Sequence, residues 1–171
     1  MLTESMPIIE YLEERYPDQG VRFLPDCPFE RAETRRLCEI INSGIQPIQN
    51  SRVVARVGGD SIKWRQTAIS EGFDVFEAYI QQNRGKYCMG PNFSMADIFL
   101  WPMTFNAIRN GLDLNQWPKI RVIKMHLDGM EEFQEALGEG QPPASNISRI
   151  GTEDPRMSQI VKHNGVAYLA G

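Results

Sequence analysis

Residues 94–105 read Ser-Met-Ala-Asp-Ile-Phe-Leu-Trp-Pro-Met-Thr-Phe. Ser94 and Asp97 stand at the spacing of a capping box, in which two side chains satisfy backbone N–H groups that a helix start leaves free. Aspartate is shorter than the usual Glu or Gln of that motif, and Asp97 is assigned to capping rather than to acid–base chemistry. Behind it, Ile98 to Phe105 is apolar on nearly every side. A helix without a polar face must sit inside other elements. This stretch therefore predicts the buried centre of a helical domain, and its neighbours should supply the walls.

On the N-terminal side, Ser61 is a plausible N-cap. Ile62, Ile69, Phe73, Phe76 and Ile80 then form one helical stripe. Earlier still, Glu30 to about Val57 carries Leu37, Ile40, Ile41, Gly44, Ile45 and Ile48 at helical spacing. Pro47 predicts a kink or break near Gly44 to Pro47, and Gly58-Gly59 ends the segment. Ser5 to about Tyr16 reads as a short helix with Pro7 in its first turn. Its Ile8, Ile9 and Leu12 should dock inward, since so short a helix is marginal alone. On the C-terminal side, Pro118 opens a last helix with Ile120, Ile123, Leu127, Met130, Phe133 and Leu137 inward. No strand pattern precedes residue 138, so the expected class is an all-α bundle.

The composition changes after Gly138. Residues 139–157 are rich in Gly and Pro and read as a linker. Residues 158–171 hold two β-favouring runs around Asn164-Gly165, a strong hairpin signal. The expected fold is thus a helical bundle followed by a short C-terminal β-hairpin. That hairpin opens a further domain or docks on the bundle as a strand pair.

Composition narrows the function. The chain has 171 residues, 42% of them hydrophobic, enough for a sizeable core. The net charge of −4, from 18 basic and 22 acidic residues, argues against a nucleic-acid binder. No apolar run approaches the ~20 residues of a membrane-spanning helix, so no membrane partner is expected, and the N-terminus lacks the features of a secretory signal. Cys27, Cys38 and Cys88 have no paired spacing, which fits a reducing, cytoplasmic compartment. With only His126 and His163 beside them, no metal site is expected.

Four stretches resemble the zeta-class glutathione transferases, the group that includes maleylacetoacetate isomerase. They are LTESMPIIEYLEERYP (2–17), EIINSGIQPIQN (39–50), KYCMGPNFSMADIFLWPMTFNAIRNGLDLNQWP (86–118) and EEFQEAL (131–137). The likeness covers roughly residues 1–138. It implies a glutathione transferase C-terminal helical domain over 21–138, preceded at 1–20 by the last helix of a thioredoxin-like domain. It also implies glutathione as cofactor, a small dicarboxylate substrate and a homodimer. The expected activity is glutathione-dependent cis–trans isomerisation in tyrosine and phenylalanine breakdown. The family's Ser-Ser-Cys-type motif, next to the glutathione sulfur, is absent, so no residue is assigned as catalytic and the chain is expected to have little or no activity. A helical interaction module without catalysis is the alternative. The tail RMSQIVKHNGVAYLAG (156–171) resembles the start of a reactive-intermediate deaminase (Rid) domain.

The same resemblance suggests site residues. Glu4 and Ser5 stand where the family holds the γ-glutamyl end of glutathione; Ser5 also reads as a plain N-cap. Gln46, Asn50 and Ser51 follow the helix irregularity on the face that approaches glutathione. Gln46 and Asn50 could equally satisfy backbone groups freed by Pro47. Arg109, and with less support Arg52, resemble ligands of the substrate carboxylates. Arg109 also fits a surface arginine at a helix C-terminus.

Overall fold

A computed structural model describes residues 2–18, 20 and 22–136, together with the backbone of 148–150, 160–163 and 166–169. The chain divides into two units: Gly20–Met130, and Met1–Gln19 grouped with Glu131–Gly171.

The first unit is built around helix α6, Met95–Arg109. Its capping box forms as expected. The Ser94 N–H donates to Asp97 Oδ2 at 2.9 Å, and the Ser94 hydroxyl donates to the same oxygen at 3.0 Å. Met95, Ala96, Leu100, Met103 and Ala107 are completely buried. Pro102 lies inside the helix on its exposed side; it removes the N–H that would bond the Ile98 carbonyl, and its ring meets solvent rather than the core. Helix α2, Pro28–Asn42, packs on α6 and contributes Leu37, Cys38 and Ile41 to the core. Helix α5, Ser61–Ile80, adds Ile69, Phe73, Phe76 and Ile80. Helix α7, Pro118–Leu127, adds Ile120, Ile123 and Leu127. The Trp117 ring meets Phe73 edge-on at 5.2 Å.

The break expected near Gly44 is present. Helix α2 stops at Asn42, and two short helices follow, α3 (Gln46–Gln49) and α4 (Ser51–Val57). Gly44 is fixed by proximity: a Cβ there would lie 2.5 Å from the Ile40 carbonyl oxygen. Pro47 sits in the first turn of α3, where its missing N–H costs nothing. The same break presses Ile45 against α5, so that a Cβ on Gly72 would lie 2.3 Å from Ile45 Cγ1. Ile45 is fully buried and cannot swing away freely. Gly72→Ala should therefore destabilise the protein by about 1–3 kcal/mol. Adding Ile45→Ala should cost less than its effect in the parent, a coupling readable from urea midpoints.

Five local expectations are corrected. The N-cap of α5 is Asp60, whose Oδ1 accepts from the Ile62 and Lys63 N–H groups at 3.0 Å, and not Ser61. Aspartate reaches two donors at once, which a hydroxyl does less well. Ile62 then falls on the outer face, 56% exposed. The last helix is two: α7 ends at Leu127 and α8 spans Glu131–Ala136, since Asp128 and Gly129 interrupt the ladder. In α1, Ser5–Arg15, the N-cap is Glu4 rather than Ser5, and no residue is fully buried; Leu12 is exposed.

The expected fold class is also corrected at its C-terminal end. The described residues do not support a lone closing hairpin, and its turn residues Asn164 and Gly165 lie outside them. What is described is three short backbone segments, β1 (Ser148–Ile150), β2 (Ile160–His163) and β3 (Val166–Leu169), in an antiparallel sheet of order β1-β2-β3. β1 falls inside the stretch read as linker. A two-stranded pair is marginal in water, and a third strand shares its edge. Leu137 and most of 139–159 also lie outside the described residues.

Candidate functional site

The break between α2 and α4 and the C-terminal end of α6 border an open cavity of about 430 Å³. Gln46, Gln49, Asn50, Ser51, Arg65, Asn106, Arg109 and Asn110 line it. The short helices turn Gln46 and Gln49 to one side, and the i, i+3, i+4 spacing of Asn106, Arg109 and Asn110 places these three on one face of α6 and its cap.

The amides are tied to one another. The Asn106 Nδ2 donates to Gln49 Oε1 at 3.0 Å, and the Gln49 Nε2 lies 3.4 Å from Gln46 Oε1 and 3.7 Å from Met103 Sδ. The Asn110 Nδ2 donates to the Asn106 carbonyl at 2.8 Å, and the Gln66 Nε2 donates to the Asn110 carbonyl at 2.8 Å. Gln49 is 6% exposed and has its polar atoms satisfied inside this network. Fixed amides of this kind hold a wall in one shape. Asn50 Oδ1 accepts from the Arg52 N–H at 2.9 Å and so caps α4.

The cavity's charge is one-sided. Two of its eight lining residues are arginines and none is acidic. The Arg65 Nε–H donates to the Gln49 carbonyl at 3.4 Å. The Arg109 guanidinium has no hydrogen-bond or ion-pair partner among the described residues. A concave surface with uncompensated guanidinium groups and amide donors is suited to carboxylates.

Four of the sequence-suggested residues, Gln46, Asn50, Ser51 and Arg109, thus share one cavity. Arg52 does not line it and is exposed. Glu4 and Ser5 belong to the other unit, at the start of α1. Glu4 has φ of 71°, the left-handed region, which costs energy for a residue with a side chain. Gln49, Arg65, Asn106 and Asn110 were not among the residues suggested for the site. The signal for Asn106 was present in the Asn106-Ala-x-Arg109 stretch, and for Gln49 in its i, i+3 spacing from Gln46.

A larger cavity of about 1010 Å³ lies beside the N-terminal end of α2. Its arginines are engaged in place. Arg22 pairs with Asp26 at 2.8 Å, while Arg36 pairs with Glu33 and stacks 3.7 Å from the Tyr79 ring centroid. With Asp26, Glu30 and Glu33 in its lining it offers no excess of cation for an anionic ligand. The cysteines carry no assigned chemistry. Cys38 and Cys88 are buried, and burial, with Asp97 beside it, pushes the Cys88 thiol well up; Cys27 is exposed. Among the described residues no helix is long and apolar enough to cross a membrane.

Residues 51–137 match the family model described as "Glutathione S-transferase, C-terminal domain". The chain belongs to the glutathione S-transferase family. Within that family it is a homologue of maleylacetoacetate isomerase. It is 37% identical over 150 residues to the maleylacetoacetate isomerase of Dictyostelium discoideum, spanning 84% of this chain and 68% of that protein. To the Mus musculus maleylacetoacetate isomerase it is 41% identical over 142 residues, 82% of this chain and 65% of that protein. The crystal structure of maleylacetoacetate isomerase from Anaeromyxobacter dehalogenans with bound GSH in the active site superimposes with a TM-score of 0.76 at 35% identity, covering 84% of this chain and 67% of that one. The holo structure of maleyl pyruvate isomerase, a bacterial zeta-class glutathione transferase, gives 0.75 at 34%, covering 83% and 70%. This glutathione transferase chain thus spans about two thirds of the length of the relatives it matches.

Proposed function

We propose that this chain carries the substrate-facing helical domain, residues 21–138, of a zeta-class glutathione transferase with maleylacetoacetate isomerase chemistry. The observation that supports this best is the acid-free cavity that gathers Gln46, Asn50, Ser51 and Arg109. Its donors fit the carboxylates of glutathione and of a dicarboxylate substrate. In keeping with this, the Anaeromyxobacter isomerase has also been crystallised with dicarboxyethyl glutathione and citrate in its active site, and that form superimposes with a TM-score of 0.74 at 34% identity, covering 84% of this chain and 68% of that one.

When bound, glutathione supplies the thiolate that adds to the substrate's double bond and leaves after the resulting single bond has rotated. The chain's own residues bind and orient. Arg109 takes a substrate carboxylate through paired N–H donors. Gln46, Asn50 and Ser51 offer amide and hydroxyl donors to the peptide. The half-buried Gln49–Asn106 bond fixes the wall from which they project, so that little ordering remains to be done on binding. In the other unit, taken by itself, the first N–H groups of α1 at Ser5 lack a side-chain cap and would suit a carboxylate, and the Glu4 carboxylate would suit an ammonium. No Ser-Ser-Cys stretch occurs anywhere in the sequence. Binding with little or no turnover is therefore the expected behaviour of this chain alone.

The test pairs retention of the 171-residue chain on glutathione resin with a maleylacetoacetate isomerisation assay. Retention is expected, together with binding of S-(dicarboxyethyl)glutathione that weakens about tenfold or more in Arg109→Ala. A chain that binds neither glutathione nor its dicarboxyethyl adduct is not such a domain.

A further inference from the structure

The cavity holds a second guanidinium that the sequence did not suggest. Arg65 comes from α5, not from the α6 face that carries Arg109, so the two arginines enter from different elements. Its Nε–H reaches the Gln49 carbonyl at the end of α3, one of the last carbonyls that a helix leaves unpaired. That bond uses the inner edge of the guanidinium and leaves the Nη donors for a ligand. The anchoring carbonyl belongs to a residue that is itself buried and held by Asn106. Arg65 is thus a half-buried cation on a fixed support, facing a cavity without a carboxylate. Two guanidinium groups on different elements of one cleft, with no carboxylate in its lining, favour an anion that presents a carboxylate to each.

We propose that Arg65 is a second carboxylate anchor of this cavity and a specificity-determining residue that favours ligands with two separated carboxylates over ligands with one. This rests on the reading of the cavity as a carboxylate site. Arg109 and Arg65 divide the two ends of the dianion between them. Glutathione also carries carboxylates, so the experiment must separate the small acid from the peptide.

The chain is titrated by NMR at low ionic strength with succinate, with butyrate, in which a methyl replaces one carboxylate, and with glutathione. The parent, Arg65→Gln, Arg65→Lys and Arg56→Gln are compared. Arg56 is an exposed residue of α4 outside the cavity lining and controls for the loss of one positive charge. The parent is expected to bind succinate about tenfold or more tightly than butyrate. In Arg65→Gln that preference falls to within about threefold by loss of succinate affinity, with butyrate nearly unchanged; Arg65→Lys restores part of it and Arg56→Gln alters neither. Equal weakening of succinate and butyrate in Arg65→Gln, or weakening of glutathione alone, overturns the proposal and leaves the carboxylate reading intact. If neither succinate nor S-(dicarboxyethyl)glutathione shifts any resonance of a cavity residue, the carboxylate reading fails and the role of Arg65 fails with it.

Discussion

Asp97→Ala is expected to cost about 3–5 kcal/mol, a large part of the ~5–15 kcal/mol that holds a domain of this size together. Asp97 is fully buried and takes three hydrogen bonds: from the Cys88 N–H at 2.8 Å, the Ser94 N–H at 2.9 Å and the Ser94 hydroxyl at 3.0 Å. Alanine removes all of them and leaves two backbone donors in a water-free place, each worth about 1–3 kcal/mol when unsatisfied. Urea denaturation measures the loss; a change below about 1 kcal/mol would mean that water reaches these groups. The carboxyl also titrates in a predictable direction. Burial pushes its pKa up, and the bonds from Cys88 and Ser94 only partly oppose this. The folded state therefore holds the proton more tightly than the unfolded chain. The stability this provides is complete below the unfolded value, about pH 4, and is lost as pH rises through the raised folded value. Measured against Asp97→Asn, which cannot titrate, the parent should lose stability over that window as pH increases.

Glu77→Ala should cost about 2–4 kcal/mol for a related reason. Glu77 lies in the last turn of α5, 6% exposed, and its two carboxylate oxygens accept from the Lys119 N–H at 2.8 Å and the Ile120 N–H at 2.9 Å. Those are first-turn donors of α7, whose N-cap residue, Trp117, offers no side-chain acceptor. A negative charge at that point also complements the helix dipole. One helix thus caps another. Glu77→Gln keeps one acceptor and should lose less than half as much. If the amide exchange of Lys119 and Ile120 is no faster in Glu77→Ala, α7 does not depend on this contact.

These two acids show where the sequence is legible. The Asp97 box was readable because both partners lie within four residues and precede an apolar run. The break after α2 was readable from Gly44 and Pro47 for the same reason. Glu77 could not be found this way, because its donors lie 42 and 43 positions away. The split of the last helix has a similar origin. Asp128 faces the Trp101 indole N–H at 2.9 Å, 27 positions distant, and Lys124 at 2.5 Å. The apolar period runs on across Gly129 as though nothing happened. In the cavity, Gln46, Asn50, Ser51 and Arg109 were legible because family likeness marks their stretches, whereas Gln49, Asn106 and Asn110 lie in the same stretches and declare themselves only through the hydrogen bonds of the folded chain. Arg65 follows the course of α5 with no local mark; only folding brings it to Gln49.

Trp64 gives the broken segment an optical consequence. Its indole N–H donates to the Ile48 carbonyl at 2.9 Å, inside α3, and it is less deeply buried than Trp101 or Trp117. Those two indoles donate instead to carboxylates, of Asp128 and Asp74. The protein therefore has a native fluorophore clipped to the turn that carries Gln46 and Gln49. Light emitted from that ring reports on the carbonyl it grips, without any dye attached to the molecule.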